Sequence, residues 1–205
     1  MVYCMKKPLI LYAILWIAWA LWQTTALPLL GPGTLTALTD SVLAKGLIWL
    51  LPTLLVLKPA IRFRGEFPWL PCVAILCAVT AFLHTLRLLN GLGGTHAVFD
   101  PMFLVFSVSA GAIEELTFRC GFYASTAEAL GPRPAAAVDG AMFTLYHFPE
   151  LLRGDWSGLL SLRALLIFGM GMVFCGMYRK WRSPALNVTV HSVWNLLSYL
   201  FCLAG

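Results

Sequence analysis

Charge is scarce in this chain. Only 11% of its 205 residues are Asp, Glu, Lys or Arg, where a soluble domain of ordinary composition carries about 25%. With 60% hydrophobic residues and a mean hydropathy of +0.83, that deficit excludes an ordinary soluble globule. Close cysteine pairs are missing as well. Cys4, Cys72, Cys77, Cys120, Cys175 and Cys202 contain no CxxC spacing and mostly lie in or beside apolar runs, so they read as small buried side chains, neither a zinc cage nor a disulfide framework. No internal repeat and no low-complexity segment interrupts the chain, which argues for one integral-membrane domain over residues 1–205. The net charge of +5 is not gathered on one face. The cations fall in short clusters between apolar runs, as membrane topology requires and a nucleic-acid partner does not.

Apolar runs are what the chain has in abundance. They extend over about Pro8–Leu30, Ser41–Leu57, Trp69–Leu86, Pro101–Leu130, Ala135–Phe148, Leu159–Tyr178 and Ala185–Leu203. Runs of this length match the roughly 20 residues that cross a bilayer as a helix. The expected fold is therefore all-α, a polytopic transmembrane helical bundle of about seven spans, within a range of six to eight. The first run follows Lys6 and Lys7 but is too long for a secretory signal core and reads as a signal-anchor helix. Gly31-Pro32-Gly33, Asn90 to Gly94 and Gly131-Pro132 punctuate the runs, as turn chemistry demands. Lys6 and Lys7, then Lys58, Arg62 and Arg64, then Arg133, then Arg179, Lys180 and Arg182 fall at alternate helix ends, with the sparser Lys45, Arg87 and Arg153 opposite. The positive-inside rule then places the N-terminus in the cytoplasm. Compact size and the lack of an evident targeting peptide favour a prokaryotic inner membrane.

Against this background a few polar residues stand out. Glu114 and Glu115 are adjacent inside the fourth run, where each carboxylate costs several kcal/mol by insertion scales. Arg119 lies four residues after Glu115, on the same helix face and in the favourable acid-first order. Glu114 is turned about 100° from Glu115 and has no basic residue three or four positions away, so the two carboxylates take different environments and Glu114 is the better general base. Phe143 and His147 share a face in the fifth run, as His191 and Asn195 do in the seventh. At about 1.5 Å per residue, His191 and Asn195 lie about 10 and 16 Å beyond Pro184, and His147 about 18 Å beyond Ala135. These depths place Glu114, His147, His191 and Asn195 in one layer, in the half of the bilayer nearer the cytoplasm. Taken singly, each has a structural reading: an ion pair that locks the bundle, or interhelical hydrogen bonds. Met at one depth on three helices, they read as one functional site.

The remaining features read as structural. Asn187-Val188-Thr189 matches a glycosylation sequon by chance at the start of a helix, Gly169, Gly171 and Gly176 suit close helix packing, and Asp139 faces water near a helix start. His84 at a helix end and His96 in a loop take no role, and the eight tryptophans include interfacial anchors.

The three polar constellations carry a family resemblance. Glu114-Glu115-Leu116-Thr117-Phe118-Arg119 resembles the EExxxR motif, Phe143 to His147 the FxxxH motif and His191 to Asn195 the HxxxN motif of the CAAX protease and bacteriocin-processing (Abi) family of intramembrane glutamic proteases. The motifs occur in the family's order and define a core over about residues 101–197. The resemblance implies an endopeptidase that hydrolyses a peptide bond in or near the membrane. It implies Glu114 as the base that activates water, His147 as its positioning partner, His191 and Asn195 as groups that polarise the scissile carbonyl, and Glu115, Arg119 and Phe143 as support. No cofactor is implied. A second reading makes Glu114, His147 and His191 zinc ligands with an open position for water; the absence of HExxH spacing and the oxyanion duty of Asn195 stand against it. The chain is shorter than eukaryotic members and has seven runs where they have eight spans, so a prenylated substrate is not implied. The expected partners are a membrane-associated peptide or protein substrate and the lipid bilayer. Two other functions use the same residues: a non-catalytic bacteriocin-immunity or partner-binding protein, and a proton or ion transporter, against which the lack of an inverted repeat argues.

Overall fold

A computed structural model describes residues 2–59, 61, 67–91 and 100–201, with side chains from residue 6 onward. Among the described residues seven helices account for the architecture, and each corresponds to one of the apolar runs. α1 covers Val2–Leu21 and continues through a π turn, Trp22–Ala26, and a 3-10 turn, Leu27–Leu30. α2 spans Thr34–Leu57, α3 Trp69–Leu89 and α4 Pro101–Leu130. α5 is Pro132–Tyr146, α6 Leu162–Trp181 and α7 Pro184–Leu200. Five of these helices, α1 to α4 and α6, are long and apolar enough to cross a membrane. The start of α1 and the ends of α2, α3, α5, α6 and α7 differ from the apolar runs by up to seven residues, and side-chain caps set the starts of α4, α6 and α7.

Those caps are local chemistry. The Asp100 side chain accepts from the Met102 amide ahead of Pro101, and Ser161 and Ser183 do the same for Ala164 and Leu186. Each satisfies a backbone donor that the first helical turn leaves free, and Pro at the first position costs no hydrogen bond. Gly31 and Gly131 end their helices at φ +70° and +80°, and Asn90 and Gly91 begin the turn expected there. Arg62, Arg64, His96 and the rest of the 90–94 loop lie outside the described residues, as do the side chains of Cys4 and Cys202. Cys72, Cys120 and Cys175 are buried free thiols, while Cys77 is exposed.

Three buried clusters pack the helices together, one of them formed by Cys120 and Tyr123 of α4, Ala135 of α5, and Cys175 and Tyr178 of α6. Leu11, Tyr12, Leu15 and Trp19 of α1 join Trp49 of α2, Phe118 and Phe122 of α4, and Met142, Phe143 and Tyr146 of α5. Cys72 of α3, Phe174 and Met177 of α6, and Leu186 and Val190 of α7 form the third. Exposed apolar side chains form outward stripes, such as Ile10, Ile14, Ile17 and Leu21 on α1 and Leu43, Leu47, Leu51 and Leu55 on α2. Such stripes suit contact with lipid chains.

Two small-residue crossings bring the groups together. α4 and α7 run antiparallel, with Phe103 stacked on Tyr199 at one end and Glu115 on Asn187 at the other. Between them, a Cβ on Gly111 would lie 2.4 Å from Ser192 Oγ and 3.2 Å from Val188 O. On α5 and α6, a Cβ on Gly171 would come within 2.9 Å of Gly140 Cα. Of the three glycines expected at close contacts, only Gly171 makes one; Gly169 and Gly176 have nothing within 4 Å, and Gly111 and Gly140 complete the crossings instead.

α5 is short and ends inside the bundle, and α1 supplies side-chain donors to carbonyls of its last turns: Tyr12 Oη to Met142 O at 2.7 Å, Trp16 Nε1 to Leu145 O at 2.9 Å and Trp19 Nε1 to Tyr146 O at 3.2 Å. Residues 12, 16 and 19 share one face of α1, so this helix acts as a side-chain cap for α5. These tryptophans, with Trp49 at 1% exposure, are interior groups. Trp69 and Trp156 are the exposed ones.

Candidate active site

The site forms where α4, α5 and α7 meet, with α2 and α6 behind. Glu114 and Glu115 diverge as successive helical residues must, yet they flank the same imidazole. His191 donates its Nδ1–H to Glu115 Oε1 at 2.8 Å, and its Nε2 lies 3.6 Å from Glu114 Oε2. Both glutamates are buried, at 4% and 0% exposure.

Glu115 is held from three directions: His191, the Asn187 amide at 3.0 Å, and Arg119 Nη1 at 3.3 Å. The Asn187 amide also donates to Phe174 O at 2.9 Å. Arg119 is wholly buried, with its guanidinium carbon 4.3 Å from the Phe143 ring centre and 5.2 Å from that of Phe174. Its Nη2 donates to Gly171 O at 3.4 Å, and its Nε lies 3.7 Å from Asp139 Oδ2, to which Cys175 Sγ also donates. The expected Glu115–Arg119 pair is therefore one edge of a larger buried frame. Phe143 lies against two of its members, Arg119 and His191, the latter with ring centres 6.0 Å apart, and against His147 at 4.7 Å.

Glu114 is not unpaired. Lys45 Nζ of α2 lies 2.8 Å from its Oε1, and Tyr146 Oη donates to the same oxygen at 3.0 Å. Helix spacing could not reveal this pair, because Lys45 arrives from another helix. Lys45 is thereby removed from the helix-end residues used to orient the chain. Asp139 is likewise no water-facing residue: it is fully buried beside Arg119.

His147 follows the last residue of α5, and its ring hydrogen-bonds the Phe143 carbonyl through Nδ1 at 2.8 Å. A carbonyl only accepts, so Nδ1 carries the proton and Nε2 is left with its lone pair. His147 lines a cavity of about 720 Å³ together with Asn195, Ser107, Phe106, Ala110 and Trp194. The structure thus joins Glu114 to His191 directly and brings His147 and Asn195 to one chamber. Among the described residues Asn195 has no hydrogen bond to the glutamates or to His191.

Three of the residues missed from sequence carried a readable signal. Lys45 and Asp139 are ionisable groups inside apolar runs, and Asn187 sits four residues before His191 on the same face. The Asn187 amide is consumed by Glu115 and Phe174, which closes it to glycosylation. Tyr146 gave no separate signal beside His147.

Lys45 and Tyr146 take Oε1 of Glu114, and among the described residues no three His, Cys, Asp or Glu side chains form a group that could hold a metal ion.

Residues 96–197 match the family model described as Type II CAAX prenyl endopeptidase Rce1-like. The match takes in α4 to α7 and with them Glu114, Glu115, Arg119, His147, His191 and Asn195; α1 to α3 lie before it. No curated protein and no solved structure is significantly similar to the chain.

Proposed function

We propose that this chain, an integral-membrane protein whose residues 96–197 match the Rce1-like type II CAAX prenyl endopeptidase family, is a protease that cleaves its substrate by water activated on Glu114. The observation that carries this reading is the 3.6 Å separation of Glu114 Oε2 from His191 Nε2, beside the chamber lined by His147 and Asn195. Two polar atoms that far apart can both lie about 2.8 Å from one water oxygen.

The steps follow from proton and charge balance. Glu114 takes a proton from the water as its oxygen attacks the scissile carbonyl carbon, in the manner of a general base. The carbonyl oxygen becomes an oxyanion facing the Asn195 amide, a donor that counts for most in a water-poor site. Collapse breaks the C–N bond, and the proton held by Glu114 passes to the departing amine. Glu115, Arg119, Asp139 and Asn187 hold His191 in place. No metal enters these steps, and a chelator is expected to leave the rate unchanged.

The substrate class we propose is a membrane-associated peptide or protein, such as an exported peptide or a C-terminal membrane anchor, presented to an enzyme of a prokaryotic inner membrane with its N-terminus in the cytoplasm. The test uses purified protein in lipid nanodiscs and two quenched-fluorescence peptides of one CAAX-terminated sequence, prenylated and unprenylated. Cleavage of at least one peptide, lost on the near-isosteric Glu114→Gln change, is the expected result. Cleavage that survives Glu114→Gln, or wild-type protein that cleaves neither peptide, overturns the reading. A cellular phenotype that survives both Glu114→Gln and His147→Ala would point to the non-catalytic partner-binding alternative.

A further inference from the structure

We infer that Lys45 is a positioning residue of the site, so that the helices before the family domain complete the catalytic centre and do more than anchor it. The inference rests on Glu114 acting as the base.

Three observations point the same way. First, Lys45 is directed inward. Lys45, Trp49 and Thr53 share a face of α2, and the last two are 1% and 0% exposed, while Leu43, Leu47, Leu51 and Leu55 point outward. A lysine in an apolar helix ordinarily extends toward the interface; this one turns to Glu114, and its side chain is only 16% exposed. Second, the backbone is adapted to it. π-helical stretches, Thr39–Ala44 and Gly46–Leu50, flank Lys45 on both sides, and another, Leu116–Tyr123, begins directly after the glutamate pair. Such widened turns are rare and gather at functional sites. Third, the contacts divide the two carboxylate oxygens. Oε1 receives Lys45 Nζ and Tyr146 Oη, whose ring centre lies 5.5 Å from the ammonium. Oε2 is left to face His191.

The consequence is chemical. Glu115 already has Arg119, Asn187 and His191. Glu114 in the same apolar surroundings needs a cation of its own to stay ionised, and an anion is what a base must be before it takes a proton. Lys45 supplies that charge on the oxygen away from the water site. It thereby keeps the carboxylate charged and selects Oε2 as the base without touching substrate.

Isotope-edited infrared spectroscopy of glutamate-labelled protein in nanodiscs reads the charge state directly and needs no substrate. The band missing in Glu114→Gln identifies Glu114. In the wild type it is expected as a carboxylate stretch, in Lys45→Met as the carbonyl stretch of a protonated acid, and in Lys45→Arg again as a carboxylate. Lys45→Gln serves as the second neutral variant if Lys45→Met does not fold. With the peptides above, Lys45→Met is expected to lower kcat about 100-fold, the size of effect that misplacing a reacting group produces. KM stays close to the wild-type value, and Lys45→Arg recovers part of the rate. A Glu114 band that remains a carboxylate in both neutral variants overturns the inference, as does an unchanged kcat. If instead the band responds to Lys45 while Glu114→Gln still cleaves, the pairing holds and the glutamate-base reading fails.

Discussion

Gly111 sits where α4 and α7 approach most closely beside the site, and replacing it tests whether that crossing sets the catalytic geometry. A Cβ there would meet Ser192 Oγ at 2.4 Å, Ser192 N at 3.1 Å and Val188 O at 3.2 Å. The serine hydroxyl has no partner among the described residues and can rotate away at little cost. The two backbone atoms cannot, so Gly111→Ala must push α7 back by a few tenths of an ångström. Overpacking of this kind costs about 1–3 kcal/mol, and the gain in helix propensity from Gly to Ala returns about 1 kcal/mol, leaving a loss of up to about 2 kcal/mol. One turn further along the same face, Glu115 holds Asn187 at 3.0 Å and His191 at 2.8 Å, so α7 takes its two anchors with it. Gly111→Val, with two more carbons at the crossing, is expected to separate the helices by about 1 Å and to lower the cleavage rate about 100-fold.

The control is Gly169→Ala on α6. Its Cβ would meet nothing within 4 Å, so only the propensity gain remains, about 1 kcal/mol of stabilisation with no change in rate. Thermal unfolding and peptide cleavage of the intact protein in nanodiscs, measured for all three variants, decide the matter. If Gly111→Ala and Gly169→Ala move stability in the same direction, or Gly111→Val cleaves at the wild-type rate, the crossing does not position the site.

Other expectations follow from single contacts. Asn187→Leu leaves Glu115 Oε2 without a donor and should destabilise by at least about 1–3 kcal/mol, since the orphaned acceptor is charged, read as a lower unfolding temperature together with a lower kcat. Trp16→Phe removes the donor to Leu145 O, and a hydrogen bond between membrane helices is worth about 0.6 kcal/mol, up to about 1.7. The same change should loosen the α5 end that carries His147, seen as faster amide exchange at residues 145 to 147. Arg119→Lys keeps the charge but loses the planar group lying on Phe143 and Phe174 and the donor to Gly171 O; lysine does not replace arginine at a stacked site, and less folded protein should be recovered by size-exclusion chromatography.

The seven helices could be read from the chain because a bilayer demands apolar runs of a set length, and their ends because Pro101, Gly131 and Pro184 act on neighbours alone. Within the site, the groups that could be read were those related by helical period: Glu115 with Arg119, Phe143 with His147, His191 with Asn195. What could not be read were contacts between helices. Lys45 and Glu114 are 69 positions apart, and Asn187 and Glu115 are 72; no periodicity links them, and the angles at which α2 and α7 cross α4 decide whether they meet. Glu114 looked unpaired for this reason, since a search three and four residues away cannot see a partner on another helix.

Charge balance would have been the better guide. An apolar bundle that buries an acid must also bury its counter-charge, and three buried acids, Glu114, Glu115 and Asp139, require more than Arg119. Lys45 was the lysine standing inside a long apolar run. Pairing every intramembrane acid with an intramembrane base, before asking which of them performs chemistry, assigns Lys45 to the site from sequence alone and leaves His191 as the group shared between the two glutamates.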